Sequence, residues 1–270
     1  MVNPIGIIQG RLTPSGGKLQ CFPDILWKEE FSIASVIGLD FIELISDLKF
    51  NKKNPLWTGE EIEILKKKAL VTKAGPVSIT IDHIMDRPIT DDGEDVVDSL
   101  NDLKNIVNRA QEIGVKTVVL PFLEKASVKN APEKIAKIPE IINSLIESSN
   151  NRVVFAMESD LSVEEQLGIF GKVNNKNFGI CYDTGNRMYF GFDVASEILE
   201  LDVAIVHVHI KDKNIEGKNV MLGTGCVDFH KVIKSFKEIQ YKGPLTMETS
   251  RGDSEIEAAR INLSFIKMLL

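Results

Sequence analysis

Short apolar runs alternate with amphipathic segments along this whole chain, and that rhythm constrains the fold more than any other property of the sequence. A brief apolar run reads as a β-strand, and apolar positions recurring every third or fourth residue read as an α-helix. The runs are Ile5–Gln9, Phe41–Ile45, Pro76–Ile81, Thr117–Leu120, the stretches ending on Glu158 and Asp183, Ile205–Ile210 and Leu245–Met247. After the first comes a helix with Trp27, Phe31, Ala34 and Ile37 on one face, stopping at Gly38; Thr58-Gly59-Glu60-Glu61 has capping-box spacing for the next, which carries Ile62, Leu65 and Ala69. Val96, Leu100, Leu103, Val107, Ala110 and Ile113 predict a long third helix ended by Gly114, and Pro132–Ile146 a fourth with a bend near Pro139. The remaining helices are expected behind the capping box Ser162-Val163-Glu164-Glu165, at Val194–Leu199, on Phe229, Val232, Phe236 and Ile239, and from Glu255 to the C-terminus. Eight strand–helix units without a linker between them predict one domain over residues 1–270, a single (β/α)8 barrel. A doubly wound sheet is the alternative, but no Gly-x-Gly-x-x-Gly follows the first strand.

Several of these strands end on chemistry. In Ile205-Val206-His207-Val208-His209-Ile210 the two imidazoles alternate with apolar residues, so they share one face of a strand. Three further apolar runs end on an acid: Glu158, Asp183 and Glu248. Charged groups are rarely buried unpaired, so acids closing successive barrel strands point to a shared cation at the C-terminal strand ends, where (β/α)8 active sites lie. Three carboxylates and one imidazole, with no thiolate, suit one divalent ion: Mn²⁺, Co²⁺, Mg²⁺ or Zn²⁺. Taken singly, each acid reads more readily as a helix N-cap or a solvated loop residue than as a ligand.

Net charge and cysteine usage narrow the function. A formal charge of −7 and a pI near 5.3 work against binding a nucleic-acid backbone. Met1-Val2-Asn3-Pro4-Ile5 has no cationic n-region, and no apolar stretch reaches membrane-spanning length, so neither a signal peptide nor a membrane anchor is expected. Cys21, Cys181 and Cys226 are widely spaced with no Cys-x-x-Cys pair, which suggests reduced thiols in a cytoplasmic protein.

The order and spacing of Met157-Glu158, Asp183-Thr184-Gly185-Asn186, His207-Val208-His209-Ile210-Lys211-Asp212, Leu222-Gly223-Thr224-Gly225-Cys226-Val227-Asp228 and Met247-Glu248 carry a family likeness. With Gly6-Ile7-Ile8-Gln9-Gly10-Arg11-Leu12 and Gly38-Leu39-Asp40-Phe41-Ile42-Glu43-Leu44, the chain resembles the xylose isomerase-like TIM-barrel superfamily over its whole length. The likeness is to the sugar phosphate isomerase/epimerase branch, which includes ketose 3-epimerases, hexulose-phosphate epimerases and inosose dehydratases. The resemblance implies one divalent metal held by Glu158, Asp183, His209 and Glu248, the four residues that the strand-end argument selects. Where many relatives have a His three residues after the sixth-strand Asp, this chain has Asn186. The branch of DNA-repair endonucleases holds three metals on many histidines, and His83, His207, His209 and His230 are too few for that.

The chemistry expected is proton transfer next to a ketose carbonyl through an enediolate, with Glu158 and Glu248 as opposed acid and base. Removal on one face and return on the other is epimerisation. Return at the neighbouring carbon is isomerisation, and loss of a β-hydroxyl is the dehydration of an inosose-type hydro-lyase. A non-catalytic sugar-binding barrel and an abasic-site endonuclease are the readings from other classes. The partner expected is a small sugar or sugar phosphate, with no nucleic acid and no membrane; a homo-oligomer is left open. Gln9, Arg11, Glu43, His83, Asn186, Lys211 and Arg251 are the candidate substrate contacts, with Arg187 another cation near the site. A surface salt bridge is the competing account of Arg11. His207 reads as a residue beneath the metal or simply in the core. Gly223-Thr224-Gly225 reads either as a phosphate cradle or as a turn before a helix capped by Asp228.

Overall fold

The strands are buried on nearly every residue, inside and out, because the barrel interior takes one face and the surrounding helices the other. The computed structural model describes residues 3–270. Its barrel strands are β1 (Ile5–Ile8), β2 (Phe41–Ile45), β3 (Pro76–Thr80), β4 (Thr117–Phe122), β5 (Val154–Ser159), β6 (Phe178–Asp183), β7 (Ile205–Ile210) and β8 (Leu245–Met247). They close in the ring order β1-β8-β7-β6-β5-β4-β3-β2, every neighbouring pair parallel. The ring is completed by Ile5, Gly6 and Ile7 against Leu245, Thr246 and Met247. The eightfold repeat in the sequence thus becomes a closed (β/α)8 barrel.

Helix faces follow the apolar spacing. Trp27, Phe31 and Ala34 of helix Trp27–Ile37 are buried, and the helix stops at Gly38, whose φ of 86° a residue with a Cβ adopts with difficulty. Helix Glu94–Glu112 buries Leu103, Ile106, Val107 and Ala110. Ser162 and Glu165 form the expected capping box on helix Val163–Val173. Helix Pro132–Ser148 continues through Pro139, which lacks the N–H for one ladder bond.

The sequence reading needs correction between residues 54 and 62. Thr58 is the last residue of a separate short helix, Pro55–Thr58, and Gly59 ends it at φ 79°. Helix Ile62–Val71 follows Glu61 with no side-chain cap, so no capping box forms there. The buried Asn54 explains the early start: its side chain accepts from Leu56 N and donates to Ile45 O, while Pro55 supplies a helical φ at N1. Three further pieces are too short to show periodicity in sequence: helices His83–Asp86 and Thr184–Tyr189, and an antiparallel pair of Asp212–Lys213 with Asn219–Val220. All of them lie in loops that follow barrel strands. No helix among the described residues is long and apolar enough to cross a membrane.

Candidate metal and substrate site

The floor of the site is a buried polar layer inside the barrel. Glu43, on β2, accepts five side-chain hydrogen bonds: Ser78 Oγ at 2.6 Å, Thr80 Oγ1 at 2.7 Å, Thr246 Oγ1 at 2.9 Å, His207 Nε2 at 2.6 Å and His209 Nε2 at 2.7 Å. Burial opposes ionisation of Glu43, but the two imidazoles facing it override this and hold its carboxyl well below the usual carboxylate range. A buried carboxylate is tolerable here because both oxygens are satisfied.

His209 donates Nε2–H to Glu43, which leaves the Nδ1 lone pair directed at three acids. Nδ1 lies 3.3 Å from Glu248 Oε2, 3.5 Å from Glu158 Oε2 and 3.9 Å from Asp183 Oδ2. It is buried and has no hydrogen-bond partner. A lone pair facing carboxylates is repulsive unless a positive charge lies between them. Burial disfavours an imidazolium at His209, yet its anionic surroundings push the ring well above its ordinary pKa. These separations are also those of ligand atoms that each lie about 2.1 Å from a shared ion. Glu158, Asp183 and His209 therefore fit a divalent cation in both charge and spacing, and Glu248 reaches the same Nδ1 as the fourth candidate. A register shift in β6 beside β7 brings Asp183 level with His209.

The free oxygens of the two glutamates differ. Glu158 Oε1 accepts from Asn186 Nδ2 at 2.9 Å. Glu248 Oε1 meets Lys211 Nζ at 2.8 Å, and the same ammonium reaches Asp183 Oδ2 at 2.9 Å. Burial opposes the charge on Lys211, but Asp183, Glu248 and Glu158 outweigh it and raise its pKa. Asn186, Lys211, His209, Glu158 and Glu248 line a cavity of about 280 Å³ at the C-terminal mouth of the barrel.

Other expected contacts lie elsewhere. Glu43 sits beneath the cavity with both oxygens engaged, so it supports His209 and has none free for a sugar. His83 is fully buried against Trp57, its ring near Ser46 Oγ and Ser99 O, and burial pushes its imidazole down to about 4. Arg11 is buried and holds the loop after β1 through Thr249 O and Leu19 O, with Glu248 Oε1 3.8 Å away. Its burial corrects the surface salt-bridge reading. Arg251 binds Thr13 O and Leu19 O of the same loop, and Arg187 pairs with Glu197 and caps Leu161 O. Gln9 is buried against Ile45 N and does not line the cavity. His207 lies in the core beneath His209, as one of its two readings held. In the Gly223 segment, Asp228 caps helix Phe229–Glu238 by accepting from Lys231 N at 3.1 Å.

Sequence reasoning missed Asp82, two residues past β3, which also lines the cavity. Val77-Ser78-Ile79-Thr80-Ile81-Asp82 is another apolar-rich run ending on an acid, the signal that singled out Glu158 and Asp183. Gln20, Asp47 and Lys213 complete the charged and polar wall, and they come from loops that carry no periodic signal.

Comparison with known proteins agrees with this architecture. L-ribulose-5-phosphate 3-epimerase UlaE of Escherichia coli is 27% identical over 267 residues, covering 96% of this chain and 91% of the relative. The crystal structure of D-allulose 3-epimerase from Methylomonas sp. in complex with D-allulose superposes with a TM-score of 0.79 at 17% identity, covering 99% of this chain and 97% of that one. That of the IOLI protein with a bound zinc atom gives 0.77 at 17% identity, covering 98% of each chain. The profile of the xylose isomerase-like TIM barrel family matches residues 31–269, and with the barrel closed and strand-end acids gathered at its mouth, the chain belongs to that family.

Proposed function

We propose that the protein is a divalent-metal-dependent sugar isomerase of the epimerase type, acting on a free or phosphorylated keto sugar. The observation that carries this reading is the bare Nδ1 of His209, buried among the carboxylates of Glu158, Asp183 and Glu248. These four would hold the ion, and Mn²⁺, Co²⁺, Mg²⁺ and Zn²⁺ all suit their chemistry. When bound, such an ion acts as a Lewis acid that polarises a carbonyl and acidifies the adjacent C–H.

The remaining chemistry belongs to the chain. Glu158 stands on β5 and Glu248 just past β8, strands three places apart in the ring of eight, so their free oxygens approach a sugar from different sides. Asn186 holds Glu158 Oε1 by its amide, which fixes the carboxylate for proton removal. Lys211 lies on Glu248 Oε1 and supplies positive charge beside the second carboxylate. A proton taken by one glutamate and returned to the opposite face by the other inverts the carbon next to the carbonyl. The epimerase names of the relatives agree with that outcome.

Turnover of ketoses by the metal-replete protein in D₂O tests it, with products resolved by NMR. Epimerised product carrying solvent deuterium on the carbon next to the carbonyl is expected. Glu158→Gln and Glu248→Gln should each abolish exchange at equal metal occupancy. Epimerisation with no solvent deuterium would refute the two-carboxylate scheme, and release of a dehydrated diketone would make the enzyme a hydro-lyase.

A further inference from the structure

We propose that this cavity takes an uncharged keto sugar in preference to its phosphate ester, and that Asp82 selects it by accepting a hydrogen bond from a substrate hydroxyl. The inference rests on the keto-sugar reading of the same site and adds the substrate class. Asp82 follows β3, which stands directly across the ring from β7, so it faces the His209 side of the cavity from the opposite wall. It is only 4% exposed, its Oδ2 accepts from Gln20 Nε2 at 2.8 Å, and its Oδ1 is buried with no partner. An unsatisfied buried carboxylate oxygen is costly, and a ligand hydroxyl directed at it removes that cost. Where an ester's phosphate takes the place of that hydroxyl, its oxygens only accept, so they leave Oδ1 unsatisfied and add repulsion.

Charge around the cavity points the same way. Lys211 is already committed to Asp183 and Glu248. A divalent ion and Lys211 together balance the charges of Glu158, Asp183 and Glu248. Asp47, Asp82 and Glu124 then remain on the wall, with Lys213 among the lining residues and the buried Arg11 guanidinium behind Glu248. Burial is the main cause that pushes the Asp82 carboxyl up to about 7; Gln20 partly offsets it, and Glu248, Asp47 and Glu158 raise it further. A phosphate dianion there would add negative charge beside three acids.

The Gly223-Thr224-Gly225 turn, which could cradle a phosphate, is occupied from within. Gly223 N, Gly225 N and Val227 N donate to the carboxylate of Asp212 at 3.0, 2.8 and 3.1 Å. Asp212 is fully buried, so this internal anion takes the N–H groups that a phosphate would use.

The test compares a free ketose with its terminal phosphate ester, using metal-replete wild type, Asp82→Ala and Asp82→Asn, each checked for folding by circular dichroism. For wild type, kcat/KM for the free ketose should exceed that for the ester by at least ~100-fold. Asp82→Ala should raise KM for the free ketose by roughly 10-fold and narrow the discrimination, while Asp82→Asn, which keeps an acceptor, should retain most of both. Preference for the ester, or unchanged KM and discrimination in a folded Asp82→Ala, overturns the inference while leaving epimerisation intact. Saturation-transfer NMR on the same pairs separates the two proposals if neither sugar is turned over. Binding of the free ketose alone, weakened by Asp82→Ala, keeps the substrate class and rejects the epimerase reading; equal binding of both sugars, or of neither, rejects the substrate class.

Discussion

Glu43 shows how much of the site depends on one residue that a ligand need not touch. Its two oxygens set the orientation of both histidines and receive three hydroxyls, and every one of the five partners donates. Glu43→Gln keeps the shape but turns one oxygen into an NH₂ group facing donors, while the other can still accept. His209 then loses the partner that keeps its proton on Nε2, or has to turn. The expected result is a loss of roughly 10–100-fold in divalent-metal affinity by calorimetric titration, in a protein that still folds. Unchanged affinity would remove Glu43 from the support of the site. The same reasoning places Asn186 and Lys211 as residues that hold the free oxygens of Glu158 and Glu248.

Among the elements, short pieces after the strands do the positioning, while the long helices supply the packing. Helix Thr184–Tyr189 starts on Asp183, whose Oδ1 accepts from Asn186 N at 2.7 Å and leaves Oδ2 for the site. Gly185 in its first turn lies against the Lys211 side chain: a Cβ there would come 2.8 Å from Lys211 Cγ and 3.0 Å from Lys211 O. Gly185→Ala should therefore move Lys211 and the helix apart, costing about 1–3 kcal/mol of stability. Because small misplacements are severe in catalysis, kcat should fall by roughly 10–100-fold. Thermal melts and steady-state rates on the same preparation check both, and wild-type turnover in a destabilised variant would contradict the placement of Lys211. The antiparallel pair of Asp212–Lys213 with Asn219–Val220 positions Asp212 under the Gly223 turn in the same manner.

At the scale of the whole molecule, the barrel gathers negative charge in one buried place, with the Lys211 ammonium beside it. A metal that binds only the folded state stabilises it by mass action, about 2.7 kcal/mol at a hundred times its dissociation constant. For a chain of this size that corresponds to a rise in Tm of ~5 °C or more, reversed by a chelator. No change in Tm with Mn²⁺, Co²⁺, Mg²⁺ or Zn²⁺ would count against the site. The family fold, the strand order and the four strand-end residues were legible in the sequence, because strand and helix periods and the acid after an apolar run are local patterns. Local patterns also fell short: Thr58 looked like a cap although Asn54 and Gly59 define the turn, and nothing local showed that His83 meets Ser46 and Ser99 or that Arg251 binds Thr13 and Leu19. The direction and environment of a side chain depend on residues far away in the chain, such as Glu43 beneath His209 at a separation of 166. Sequence alone placed Glu158, Asp183, His209 and Glu248 at the strand ends; only closure of the ring decided which residues face the cavity, which lie beneath it and which hold its loops, since Glu43 meets His207 and His209 across the barrel.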